Sequence, residues 1–274
     1  MSMEPDRKLD GASLQRLIAL VKKHTGITME ERKRELLSSR IRPRMKELNL
    51  STPDMDYLDT HKHEIQKFVN VITTNETIFF RTPIIWEYFS QEFLKSWQKK
   101  NTDQTLRIWS SASSTGEESA SIGMMCEEFK RACPTFKYRI YASDIDTDVL
   151  EGARKGMYKE RSINDIRARM PELYTRYFKN HNTAEPQLCD AILSNMEFFV
   201  HNLHSRGAHL TFFDIVFCRN VLIYFNDQDQ ELVLRNMYAS LKPDGVLIIG
   251  ESESLARLKT SFEYTKPLIY KRAA

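Results

Sequence analysis

The chain has 274 residues, 41% hydrophobic and 28% charged, with a net charge of +3, an ordinary globular composition on a length that allows one large core or a sheet domain of ~150 residues with a smaller companion. No window approaches the ~18 apolar residues a membrane-spanning helix needs, and the charged opening MSMEPDRKLD lacks the apolar region of a signal peptide, so no membrane insertion and a cytoplasmic location are expected. Cys126, Cys133, Cys189 and Cys218 form no CxxC pair and read as reduced thiols, which excludes a disulfide frame or zinc site.

The first hundred residues read as helical. Leu14, Leu17, Ile18 and Val21 make one apolar stripe, and Thr28 with Glu31 reads as a capping box opening a second helix, striped by Leu37, Ile41, Met45 and Leu48. Pro43 sits inside that pattern and is expected to kink or split it. Ser51 and Pro53 start a third, short helix, and Ile65, Phe68, Val69 and Ile72 stripe a fourth. Residues 1–80 are therefore expected to be a small helical bundle and its linker. His61 and His63, two apart on a helix, point away from each other and suit the surface, so no metal is expected.

Thr73 to Arg81 (TTNETIFFR) is a polar knot. Phe79 and Phe80 suit a core, whereas Asn75, Thr77 and Arg81 have no apolar role; turn and cap duty is the alternative. Thr82 and Pro83 open another helix with Trp86, Phe89, Phe93 and Trp97 inward.

From Thr105 the pattern alternates strand and helix. Strands are expected at 105–112, 137–143, 197–201, 213–218 and 245–250, and helices at 117–132, 147–155 and 227–241, the last stopped by Lys242-Pro243-Asp244-Gly245. Residues 157–196 break the rhythm and read as an insert, and Phe262 to Arg272 reads as strands around a Lys266-Pro267 turn. This is an α/β pattern, a doubly wound sheet over 81–274.

Thr105 to Glu118 (TLRIWSSASSTGEE) is its opening strand, small-residue turn and helix, and ligands sit at the carboxyl ends of strands in such sheets. An acid at the end of the second strand, Asp144, is placed to accept hydrogen bonds from both ribose hydroxyls of a nucleotide, with Asp146 capping the next helix. A dinucleotide would want GxGxxG, whereas Glu117 and Glu118 in the first helical turn would repel a pyrophosphate. They suit a cationic, phosphate-free ligand such as S-adenosylmethionine, or else only satisfy the helix dipole. Core packing explains Ile215 to Phe217, but not Arg219 and Asn220 at the end of that strand.

Together these residues resemble the chemotaxis receptor (CheR-like) methyltransferase family. The resemblance is carried by Thr73 to Arg81, Ala112 to Glu118, Ala142 to Asp146, Asn202-Leu203 and Asp214 to Phe225 (DIVFCRNVLIYF), and covers nearly the whole chain. It implies a helical amino-terminal domain, a class I methyltransferase sheet with a small β-subdomain insert, and methyl transfer from S-adenosylmethionine to glutamates of chemoreceptors, leaving S-adenosylhomocysteine. It also implies cofactor contacts at Asn75, Thr77, Arg81, Glu117, Asp144, Asn202, Leu203, Cys218, Arg219 and Asn220, with Arg81 and Tyr224 important for catalysis. One departure is Ser119-Ala120-Ser121 where the family usually has Pro-Tyr-Ser. The basic run with Arg32, Arg34, Arg40, Arg42 and Arg44 is commonly only a solvated helix face; the resemblance implies a docking surface for the acidic methylation helices of the receptor.

A nucleic-acid partner is not expected, since CRNV stands where an Asn/Asp-Pro-Pro-aromatic segment would, and a monomer is. A non-catalytic S-adenosylmethionine sensor could keep Asp144 and Glu117 yet lose Arg81 or Tyr224; both are present. Some family inserts also bind receptor tail peptides through a sheet edge. The loop Asn180 to Pro186 has no glycine, and Pro186 lacks an N–H, so tail dependence is not expected here.

Overall fold

The computed structural model describes residues 11–50, 55–207 and 210–273, the side chains of Arg32, Met55, Asp56 and Asp59 excepted. Contacts divide the chain into two compact units, Met1–Thr74 with Tyr224–Asp229, and Asn75–Ile223 with Gln230–Ala274. The division lies upstream of residue 80 because Phe79 and Phe80 are fully buried in the core of the second unit.

In the first unit, α1 (Gly11–Thr25), α2 (Arg34–Glu47), α3 (Met55–Thr60) and α4 (Lys62–Ile72) bury Leu14, Leu17 and Val21, Leu37 and Ile41, and Phe68, Val69 and Ile72. Two local expectations are corrected. The capping box does not form: Thr28 instead donates its N–H to the Tyr224 carbonyl at 2.8 Å and accepts from Lys22 Nζ at 3.0 Å. The helix begins only at Arg34, after a 3-10 turn at Glu31–Lys33. Nor does Pro43 divide α2, which runs through it; Pro43 and Ser39 are both exposed, so solvent can satisfy the carbonyl that loses its partner. The proposed start of the third helix at Ser51 and Pro53 lies outside the described residues.

The second unit opens with α5 (Pro83–Tyr88), a π-helical stretch Phe89–Phe93 and α6 (Leu94–Lys100). Trp86 stacks on Phe217 at 6.0 Å between ring centroids and Phe89 meets the same ring edge-on at 5.6 Å. The remaining elements are β1 (Thr105–Ser110), α7 (Glu117–Ala132), β2 (Lys137–Asp144), α8 (Thr147–Lys155), α9 (Glu160–Arg169), α10 (Pro171–Tyr177), β3 (Phe178–Lys179), β4 (Gln187–Leu188), α11 (Asp190–Leu193), β5 (Met196–Val200), β6 (Phe213–Cys218), α12 (Asp227–Ser240), β7 (Leu241–Ile249), β8 (Phe262–Lys266) and β9 (Ile269–Arg272). Seven strands form one sheet in the order β5-β2-β1-β6-β7-β9-β8, parallel from β5 to β7 and antiparallel at β9 and β8. Every residue of β6 is buried, as suits a central parallel strand covered on both faces. From β1 the chain turns first to β2 on one side and later to β6 on the other, which makes the carboxyl ends of β1 and β6 the switch point of the sheet.

Two further differences are local. Lys242 to Gly245 falls within the span of β7, which starts at Leu241 paired with Phe213, but it bulges out unpaired before the Ile215–Val246 pair, with Asp244 at φ 62°. The insert is mainly helical, because Ile163 and Ile166 in α9 and Tyr174 in α10 bury at helical spacing. Its β structure is the antiparallel pairing of Phe178 with Leu188 and Lys179 with Gln187, plus a bridge from Met157 to Gln187.

Candidate functional site

The turn after β1 is built from small residues because other backbone crowds it. Ser111 N–H donates to the Phe217 carbonyl at 2.9 Å and Ser113 N–H to that of Ser143 at 2.8 Å, stitching the turn to the ends of β6 and β2. Gly116 has φ +95°, and a Cβ there would lie 3.0 Å from the Ala153 Cβ, so the residue before α7 is a glycine for conformation and for space.

Asp144, buried at the tip of β2, accepts from Ser114 N–H at 2.8 Å on Oδ2 and from Asp146 N–H at 3.0 Å on Oδ1. Burial pushes its pKa up to about 6 against the lowering effect of these bonds. Each carboxylate oxygen keeps acceptor capacity beyond its backbone donor. Asp146 caps α8, accepting from Asp148 N–H at 2.9 Å, and also accepts from Asn75 Nδ2 at 2.6 Å. The Asn75 carbonyl in turn accepts from Ser114 Oγ at 3.1 Å, so the polar knot is tied at two points to the ends of β1 and β2.

The two acids opening α7 separate in role. Glu117 is buried and accepts from Ser162 Oγ at 2.7 Å and from Thr115 Oγ1; desolvation raises its pKa. Glu118 accepts from Ser110 Oγ at 2.7 Å and pairs with Arg219 at 2.9 Å. The guanidinium of Arg219 also reaches the Arg81 carbonyl at 2.8 Å and Thr82 Oγ1 at 2.9 Å. The Arg81 side chain makes a long hydrogen bond, 3.3 Å, to the Glu76 carbonyl, and Thr77 is half-buried nearby in sequence. Asn202 accepts from His204 N–H at 3.0 Å just past β5, whose extension donates His201 N–H to the Asp144 carbonyl at 2.9 Å; Leu203 is buried. Cys218 is fully buried and its thiol is held protonated by desolvation.

Sequence reasoning missed Glu253. Its carboxylate accepts from the N–H groups of Asn220 (3.0 Å), Val221 (2.8 Å), Leu222 (2.8 Å) and Gly250 (2.6 Å). It thereby fixes the loop after β6 to the end of β7, although desolvation raises its own pKa. The available signal was position: Gly250-Glu251-Ser252-Glu253 follows a strand that ends at the same edge as β1 and β6.

Tyr224 closes a 3-10 turn, Leu222–Tyr224, and belongs with the helical unit. In that unit Arg40 donates to the carbonyls of Ile72 (2.5 Å) and Thr73 (2.9 Å) and to Thr74 Oγ1 (2.9 Å). Arg44 pairs with Glu64 at 2.5 Å, and Glu64 is 3% exposed. The Arg44 bond holds the Glu64 carboxyl below its ordinary range. Arg40 and Arg44 thus tie α2 to the end of α4 and to Glu64 while staying partly exposed. Arg34 is exposed and Arg42 half-buried; the Arg32 side chain lies outside the described residues.

The residues at the strand ends fit a ribose-bearing cofactor without phosphates. Asp144 offers the acceptors, and Ser113 Oγ is buried without a hydrogen-bond partner beside it. The buried Glu117 carboxylate at the start of α7 opposes a pyrophosphate and favours positive charge, whereas Glu118 is already paired with Arg219. The family model of the CheR methyltransferase all-alpha domain matches residues 12–73, and that of the CheR methyltransferase SAM binding domain matches residues 75–270. The chemotaxis protein methyltransferase of Escherichia coli (strain K12) is 32% identical over 270 residues, covering 96% of this chain and 91% of that protein. That of Salmonella typhimurium is 32% identical over 274 residues, with 96% and 90% covered, and chemotaxis protein methyltransferase 1 of Pseudomonas aeruginosa is 33% identical over 249 residues, with 89% and 90% covered. With both family models matched in order, the chain belongs to the CheR methyltransferase family.

Proposed function

We propose that the chain transfers a methyl group from S-adenosylmethionine to glutamate side chains on the cytoplasmic helices of methyl-accepting chemoreceptors, giving glutamyl methyl esters and S-adenosylhomocysteine. The observation that carries this reading is the pair of desolvated acids at one strand edge, Asp144 at the tip of β2 and Glu117 at the start of α7. In this reading Asp144 takes the ribose hydroxyls. Glu117 faces the cofactor's positive charge, which offsets the burial that otherwise favours its neutral form. Asn75, Thr77, Arg81, Asn202, Leu203 and the Cys218-Arg219-Asn220 stretch line the rest. Residues 1–80 are read as the helical domain with its linker and 81–274 as the methyltransferase domain, acting as a monomer.

When bound, S-adenosylmethionine supplies an electrophilic methyl group on a sulfonium. The glutamate needs no general base, since its pKa of ~4.3 leaves it ionised at neutral pH. The chain's part is alignment and exclusion of water. Arg81 and Tyr224 orient the incoming carboxylate by hydrogen bonds; holding it too tightly would weaken it as a nucleophile. The exposed basic side chain Arg34, with its neighbours on α2, meets the acidic receptor helices and speeds encounter. Incubation with tritiated S-adenosylmethionine and receptor-containing membranes tests the reading. Label released by alkali as methanol is expected; alkali-stable label, or none, refutes it.

A further inference from the structure

The ion pair of Glu118 and Arg219 is almost sealed from solvent, with side chains 11% and 3% exposed. Isolating two charges is unfavourable unless their remaining hydrogen-bonding groups are satisfied. Here the satisfied groups are informative. Glu118 takes Ser110 Oγ on its other oxygen, and Arg219 Nη2 donates to the Arg81 carbonyl and to Thr82 Oγ1. The same Arg81 carbonyl accepts from Trp86 Nε1 at 2.8 Å, and the guanidinium lies 5.9 Å from the centre of the Trp86 ring. The backbone of Arg81 is thus gripped from two directions, while among the described residues its side chain makes one long bond.

The gripped segment is strained. Phe80 has φ 52° and Thr82 has φ 65°, left-handed conformations that are outliers for a bulky and a β-branched residue and persist only where the surroundings hold them. A segment under such strain relaxes unless its surroundings hold it. Phe80 is held by its N–H on Ser121 Oγ at 3.0 Å, and Thr82 by Arg219.

We propose that Glu118 and Arg219 form a positioning strut that aims Arg81. Arg219 reaches from the end of β6 to hold Arg81 and Thr82 in the strained conformation, and Glu118, at the start of α7, neutralises and orients Arg219. The inference rests on the methyl-transfer reading only for what Arg81 does, not for how it is held. The forked guanidinium is essential, because lysine cannot engage a carboxylate, a carbonyl and a hydroxyl in one plane. Glu118, which otherwise merely suits the helix dipole, acquires a role at a distance from the reacting atoms.

Three variants test this: Glu118→Gln, Arg219→Lys and Thr82→Val, the last leaving the ion pair intact while removing one of its targets. Two readouts are needed. The first is turnover at saturating cofactor and receptor, since a misplacement of ~1 Å can cost about a hundredfold in rate; kcat per folded molecule is expected to fall about tenfold to a hundredfold, with smaller changes in KM. The second is trypsin digestion of the native protein, with sites located by mass spectrometry. The Arg81–Thr82 bond should be cut in the variants at protease concentrations that leave it intact in the wild type. A lowered melting temperature with wild-type kcat and an uncut Arg81–Thr82 bond would overturn the strut. If Glu118→Gln and Arg219→Lys do not fold, Thr82→Val decides alone, and wild-type behaviour in both readouts refutes the proposal. A wild-type protein that transfers no base-labile methyl would refute the functional reading instead, with the proteolysis still deciding the strut.

Discussion

In its proposed role on the ribose hydroxyls, Asp144 makes cofactor affinity depend on pH. Its pKa in the folded protein is about 6 against an ordinary 3.8, raised by burial. The sign follows from that direction: its contribution to stability is complete below the ordinary value and is lost as pH rises through about 6. At ~1.36 kcal/mol per unit the loss amounts to about 3 kcal/mol. Ribose hydroxyls donating to Asp144 favour the ionised form, so binding pulls its pKa down and releases a proton. For a group with an unliganded pKa near 6, the ionised fraction falls from about nine-tenths at pH 7 to one-tenth at pH 5, and the dissociation constant for S-adenosylmethionine should rise about tenfold. Glu117, also raised by burial, acts in the same direction for a cationic ligand. Asp144→Ala should weaken binding at pH 7 by the loss of two charge-assisted bonds, worth ~1.5–3 kcal/mol each before water compensates, and flatten the pH profile. Calorimetry at pH 5, 6 and 7, in buffers of different ionisation enthalpy, reads both affinity and proton release. A dissociation constant unchanged from pH 7 to pH 5, with no proton released at pH 6, would refute the reasoning. So would unchanged affinity in a folded Asp144→Ala protein.

Arg81→Ala and Tyr224→Phe should each lower turnover far more than they alter melting temperature; wild-type turnover in both would remove the positioning mechanism. Arg44→Ala should destabilise the helical unit by roughly 1.5–3 kcal/mol, the range for charged hydrogen bonds, because it strips Glu64 of its main partner. The depressed Glu64 pKa means this contribution is present above the ordinary carboxylate range and lost on acidification, so denaturant titrations of wild type and variant should converge at low pH. Arg34→Glu should raise the apparent KM for receptor and flatten its salt dependence; identical kinetics at low salt would leave α2 a solvated face. The two-residue ladder of the insert offers little edge for a peptide to extend, so a pentapeptide ending in an aromatic residue should not bind at micromolar concentration, as titration calorimetry can check.

What the sequence disclosed was local in origin. The span of α7 follows from Ile122, Met125 and Phe129 at helical spacing, and the cap of α8 from Asp146 just before it. The strand, turn and helix around Gly116 announce themselves through residue size. The misses share another character, since each depends on a partner far along the chain. Glu117 and Glu118 are indistinguishable in sequence, yet one meets Ser162 and the other Arg219. Glu253 matters only through the amides of Asn220 to Leu222. Arg40 and Arg44 look like surface charge until the end of α4 and Glu64 are brought beside them. No hydrophobic period or capping rule encodes such pairings.

The strain at the strand ends and the buried acids there are two aspects of one arrangement. Phe80, Thr82, Ser114 and Asn220, none of them glycine, all have positive φ. Two of them are held directly by an acid: Ser114 N–H by Asp144 and Asn220 N–H by Glu253. Thr82 is held at one remove, through Arg219 on Glu118. Phe80 is held by Ser121, whose hydroxyl donates to the Glu117 carbonyl at 2.7 Å. Desolvation penalises isolated carboxylates, and amide or guanidinium donors offset part of that penalty, so each acid is stabilised by the strained turn it fixes. Glu253 is saturated by its four amides, and Glu118 has its charge balanced by the Arg219 guanidinium, which leaves them structural. Asp144 differs from Glu118 in taking its donors from backbone amides, those of Ser114 and Asp146 among them, and not from a guanidinium. That difference supports the proposed ribose role of Asp144 and leaves the loop geometry to Glu118 and Glu253.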